Sequence, residues 1–100
     1  MGNGANIKVL DRSFVNSEVN DLGLYEILDD DQDVLYVGSG PPRSTLSEHL
    51  PGGEMEMDGA RYYRTYGCSD GRTIEVRKRS LISDYEYILG VLPKYNGKQT

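Results

Sequence analysis

The chain has 100 residues, 37% hydrophobic and 27% charged, which is room for one domain with a modest core and not for two. Its one cysteine, Cys68, excludes a disulfide framework and a thiolate zinc site. A net charge of −5 argues against a domain that holds nucleic acid nonspecifically through its phosphates.

In chain order, residues 1–6 ("MGNGAN") read as a frayed end within an N-terminal arm, residues 1–21. In that arm "IKVLDRSFV" (7–15) is either an edge strand or an ordered extension. The domain proper is expected over residues 22–96, and 97–100 fray again. "LGLYEILDDDQDVLYVGS" (22–39) holds two β-rich runs around an Asp-rich turn, the pattern of a β-hairpin. Leu22, Leu24 and Glu26 alternate with Gly23, Tyr25 and Ile27; Val34 and Tyr36 alternate with Leu35 and Val37. Gly38 is expected to serve the turn that follows the second strand.

"PPRSTLSEHL" (41–50) reads as a short helix, with Pro42 in its first turn and Leu46 and Leu50 on one face. Pro and Gly make 51–60 a loop. "ARYYRTYGC" (60–68) reads as a third strand, with Tyr62, Arg64 and Tyr66 on one face and Tyr63 and Thr65 on the other. "SDG" gives a turn or a helix start capped by Ser69 or Asp70. Residues 81, 82, 85, 88, 89 and 92 then form a 3.6-residue apolar stripe, expected to be the buried face of a long helix that ends at Gly90 and Pro93. Residues 72–77 also fit a fourth strand, since Ile74 and Val76 alternate. The order is β-β-α-β-α: an α+β domain with a small antiparallel sheet of about three strands flanked by helices.

Charge is uneven along the chain. Acids gather in "DDDQD" (29–33) and "GGEMEMD" (52–58), bases in "RYYR" (61–64) and "GRTIEVRKR" (71–79). No run approaches the ~18 apolar residues of a membrane span, no basic-then-apolar leader pattern opens the chain, and Asn6 stands where a myristoylation signal has Ser or Thr. The expected setting is cytoplasmic, with no membrane partner.

Two triplets, Gly23-Leu24-Tyr25 and Tyr36-Val37-Gly38, lie ten residues apart on the expected hairpin. With Leu46 and His49 on the next helix, Gly71-Arg72-Thr73-Ile74-Glu75, and Leu92-Pro93-Lys94-Tyr95-Asn96, the chain resembles the GIY-YIG superfamily over about residues 22–96. The resemblance implies a metal-dependent endonuclease in which a tyrosine activates water, an arginine on the first helix stabilises charge on phosphorus and a glutamate on a later helix holds one Mg or Mn ion. An anionic phosphodiester does need positive charge at its oxygens and a Lewis acid at the leaving group. A phenol needs cationic help to act as a base near neutrality.

On this resemblance Tyr25, Tyr36, Arg43 and His49 are candidate catalytic residues, and Gly38, Ser39, Arg64, Arg72 and Asn96 candidate substrate contacts. Glu75 is the first candidate metal ligand, with Asp84 and Glu86 as alternatives. Residue by residue, blander roles compete. Arg43 lies six residues before His49 and projects from a different side of the helix; an exposed helix-start arginine is its plain reading. His49 is the chain's only histidine, and packing the helix end is its default. Asn96 suits a tie from the helix end back to the sheet, and Tyr62, Tyr63 and Tyr66 either stack bases or pack under helices. Two function classes follow. One is a DNA phosphodiesterase; the other is a non-catalytic module on the same scaffold that binds nucleic acid or a protein partner.

Overall fold

The structure, a computed structural model, describes residues 7–18, 23–50, 52–67 and 71–96, without the side chains of 67, 71 and 72. Four strands form one antiparallel sheet: β1 (Lys8–Val9), β2 (Gly23–Leu28), β3 (Val34–Gly40) and β4 (Tyr62–Gly67). Their spatial order is β1-β4-β2-β3. Three helices complete the α+β fold: α1 (Arg12–Asn16), α2 (Pro42–His49) and α3 (Gly71–Leu89).

The hairpin forms because two β-rich runs flank a loop with its own hydrogen-bond acceptor. The Asp29 carboxylate accepts from the Asp31 and Asp33 amides at 2.9 and 3.0 Å, as Asx turns do. Pairing runs Tyr25↔Gly38, Glu26↔Val37, Ile27↔Tyr36 and then Leu28↔Val34, which leaves Leu35 as a bulge. The bulge explains why Val34 and Tyr36, two residues apart, face opposite sides of the sheet.

Every residue of β2 is buried, because β3 and β4 flank it and helices cover both of its faces. On one face Tyr25, Ile27, Tyr36 and Tyr63 pack with Val15 of α1 and Leu46 of α2. On the other, Leu28, Val34 and Val37 meet Leu81, Ile82 and Tyr85 of α3.

Three expectations are resolved or changed. The segment 7–15 is both a strand and a helix: β1 pairs with β4 at the sheet edge, adding a strand to the expected three. Then Asp11 caps α1 by accepting from the Phe14 amide at 2.9 Å. Residues 72–77 are helical, not a strand, because α3 starts at Gly71. The apolar stripe of α3 is buried only in part: Leu81, Ile82 and Tyr85 pack on the sheet, but Ile88 and Leu89 are exposed, 72% and 47%. The helix carries its last turn beyond the packed surface, so periodicity continues where packing stops. It does end at Gly90, at φ +82°.

The outer edge of β3 is covered by the chain's return. The Tyr95 amide donates to the Leu35 carbonyl at 2.9 Å. The Asn96 side chain accepts from the Val37 amide at 2.8 Å and donates to the Val37 carbonyl at 3.1 Å. Asn96 is thus the tie back to the sheet that its plain reading gave, with its side-chain oxygen and nitrogen both engaged by Val37. Among the described residues, no helix is long and apolar enough to cross a membrane.

Candidate functional site

Tyr25 and Tyr36 point to the same face of the sheet from neighbouring strands, with ring centroids 6.2 Å apart. The imidazole of His49, the last residue of α2, completes the group, 5.8 Å from the Tyr25 ring and 5.5 Å from that of Tyr36. Its Nδ1 lies 2.9 Å from the Met55 carbonyl oxygen, which only accepts, so Nδ1 carries the proton. In the neutral ring Nε2 is then an acceptor, and the Tyr25 hydroxyl donates to it at 3.1 Å. The Met55 carbonyl is held in turn by the loop, since the Met55 amide donates to the Glu48 carbonyl at 2.8 Å.

The group is enclosed: all three residues are buried. Burial raises the Tyr25 pKa well above that of an ordinary phenol; the neighbouring Tyr36 adds to the shift, the Thr45 hydroxyl opposes it, and Glu48 adds least. Burial lowers the His49 pKa, against smaller opposing effects of the Met55 carbonyl and Glu48. Both shifts favour neutral partners. The carboxylate whose charge reaches this group is Glu48, which the sequence reading did not single out. Its signal was only its place beside His49.

His49 makes stability depend on pH. Its folded pKa lies below the unfolded value of 6.5, so below that value the unfolded chain binds more protons. Its contribution is whole above about pH 6.5 and should fall away as pH drops below that value through the lowered folded pKa. Urea midpoints measured across that window should decline in the native sequence and stay flatter in His49→Gln. Equal slopes in the two would remove His49 as the source.

The other candidates do not join Tyr25 and Tyr36. Arg43 is exposed and its Nε donates to the Glu18 carbonyl at 3.0 Å, which ties α2 to the end of α1. Gly38 lies inside β3, not in a turn, with Tyr25 as its cross-strand partner. The space beside Gly38, a candidate substrate contact, is filled by the Tyr25 ring itself. Ser39 is half-buried near the end of β3. The Arg72 side chain lies outside the described residues. Glu75, Asp84 and Glu86 are all exposed on α3, the helix that covers the opposite face of the sheet from the two tyrosines. These carboxylates do not converge with the tyrosines into a donor set for a divalent cation.

Arg64 belongs to a second polar group, beneath α3. Register sets it opposite Glu26, whose side chain is fully buried while that of Arg64 is 20% exposed. Arg64 Nε donates to one Glu26 oxygen, and the Tyr66 hydroxyl donates to the same oxygen at 3.1 Å. The Tyr85 hydroxyl donates to the other oxygen at 2.7 Å and accepts from Arg64 at 3.3 Å. Burial, then the Glu26 charge, pushes the Tyr66 phenol up to about 12. Burial also raises Tyr85, aided by its bond to Glu26. For Arg64 burial works against the charge, but Glu26 outweighs it and the guanidinium pKa rises. The visible signal was Glu26 itself, an acid in the same alternation as Leu24.

A third polar group ties down the chain's start. Glu18 is buried and accepts from Lys8 Nζ at 2.7 Å and from the Tyr63 hydroxyl at 2.6 Å. Tyr63 is therefore a buried structural residue and not a stacking platform.

Compared with known families, residues 6–80 match DUF7508, described as a domain of unknown function. No curated protein matches the chain, and no solved structure does. The GIY-YIG resemblance is overturned by this result: the family found is a different one, and the two triplets on a hairpin are shared local sequence without shared family.

Proposed function

The chain belongs to the DUF7508 family of domains of unknown function, and we propose from its geometry that it is a non-catalytic module that binds a protein partner through the end of α3. The observation that carries this reading is exposed apolar surface. Tyr87, Ile88 and Val91 are 91%, 72% and 65% exposed, with Leu89 and Leu92 beside them. Contiguous apolar surface of this kind marks interaction sites. It lies next to Glu86 on a chain of net charge −5, so the fitting partner is a protein with an apolar groove and a basic rim. Phosphate groups would meet repulsion from that overall charge.

A photo-crosslinking residue at Ile88, in cells that make the protein, is expected to capture one protein partner, and Leu92→Ser should abolish the capture. Recovery of nucleic acid, or nothing beyond a control placed at exposed Ser80, would overturn the reading.

One observation favours a second reading, hydrolysis of a phosphodiester. His49 is fixed in the tautomer whose Nε2 can take the Tyr25 proton. Against it stand the enclosure of the pair and the raised Tyr25 pKa. Cleavage of linear or branched DNA with added magnesium or manganese, lost in Tyr25→Phe, would establish it in place of the first.

A further inference from the structure

We infer that the outer edge of β3 is a strand-binding site that Asn96 caps, and that its occupant when uncapped is β3 of a second copy of this chain. An edge strand offers unpaired backbone groups to any other strand, and proteins commonly cover such edges. Here the cover copies what it excludes. In antiparallel sheets, residues of a hydrogen-bonded pair exchange two bonds, each amide donating to the other's carbonyl. The Asn96 side-chain amide makes both of these bonds to Val37, accepting at 2.8 Å and donating at 3.1 Å. It stands where the backbone of a facing residue would stand. The Tyr95 amide extends the imitation by donating to the Leu35 carbonyl at 2.9 Å.

A second copy fits this edge. Val37 points both its amide and its carbonyl away from β2, so two β3 strands related by a twofold axis through this position satisfy each other. Antiparallel alternation turns the Ser39 backbone outward as well, and β3 reaches Gly40 before α2 begins. Pairing centred on Val37 sets the acidic hairpin loop of one copy, residues 29–33, toward the start of α2 in the other, where Arg43 is exposed. Opposite charges then meet at both ends of the pairing. The contact rests on the strand edge and not on the apolar end of α3, so it stands or falls separately from the docking surface proposed above.

The test is the mass of the full chain by size exclusion with light scattering, over a range of concentrations. The native sequence should run as a monomer and Asn96→Ala as a concentration-dependent dimer. Ser39→Pro added to Asn96→Ala should restore the monomer, because proline removes an outward amide that an edge strand can spare. A folded Asn96→Ala that stays monomeric, or a dimer that survives Ser39→Pro, overturns the inference. Should Asn96→Ala fail to fold, NMR titration of the native chain with a peptide of residues 33–40 decides. Shifts at the Val37 amide and the Asn96 side-chain amide are expected. Shifts elsewhere only, or none, overturn it.

Discussion

Arg64→Met is expected to lower the unfolding free energy by about 3–5 kcal/mol, because it removes the cation from a fully buried carboxylate. Glu26 would keep the hydroxyls of Tyr66 and Tyr85, and both already donate to it. Neither supplies positive charge. The lost guanidinium is largely buried too, so its own desolvation cost is recovered in the variant, which places the effect within that range and not above it. The double variant Glu26→Met, Arg64→Met should regain most of the loss, since an apolar pair in the same space needs no partner. Denaturant midpoints with an unchanged m-value measure both. A single variant as stable as the native sequence would mean that the ion pair under α3 contributes nothing.

Gly38→Val is expected to cost at least the about 1–3 kcal/mol typical of overpacking. A Cβ at this position would sit 2.5 Å from the Tyr25 hydroxyl oxygen and 2.7 Å from the Tyr36 ring. The cost is not backbone strain, since Gly38 is extended within β3. It is steric, and the rings have little room to yield: Tyr25 is held by His49 and packed against Tyr36. Moving it would leave a buried imidazole acceptor without its donor. Adding Tyr25→Ala to Gly38→Val should therefore cost less than the two single changes summed. Strict additivity, or an unshifted midpoint for Gly38→Val alone, would show that the ring does not lie across this glycine.

Much of the fold was written locally. The hairpin, α2 with Pro42 in its first turn, the alternating β4 and the stop at Gly90 each follow from a few neighbouring residues, because turn chemistry, proline geometry and side-chain period act over short range. The two tyrosines were legible in the triplets, but their shared face rests on the pairing Ile27↔Tyr36 and on the bulge at Leu35, which alternation does not reveal.

What lay beyond the sequence was everything set by distant partners. Periodicity ran through Leu89 in the sequence, but whether a helical stripe is buried depends on what lies beneath it, and the sheet ends before the helix does. On the family resemblance Arg64 and Asn96 were candidate substrate contacts and Arg43 a candidate catalytic group, although Asn96 also read as a tie back to the sheet, which it is. Tertiary structure assigned them to Glu26, to the Val37 backbone and to the Glu18 carbonyl, across separations of 38, 59 and 25 residues. The family reading failed in a related way, since short triplets report a hairpin and not a lineage. The sequence alone determined the hairpin, α2, β4 and the long α3, their order and the α+β class, since those rest on local propensity and period; β1 and α1 came only with the structure. Only the tertiary structure decided which polar groups meet, because a buried charge or an open strand edge takes whichever partner the chain's return brings within reach.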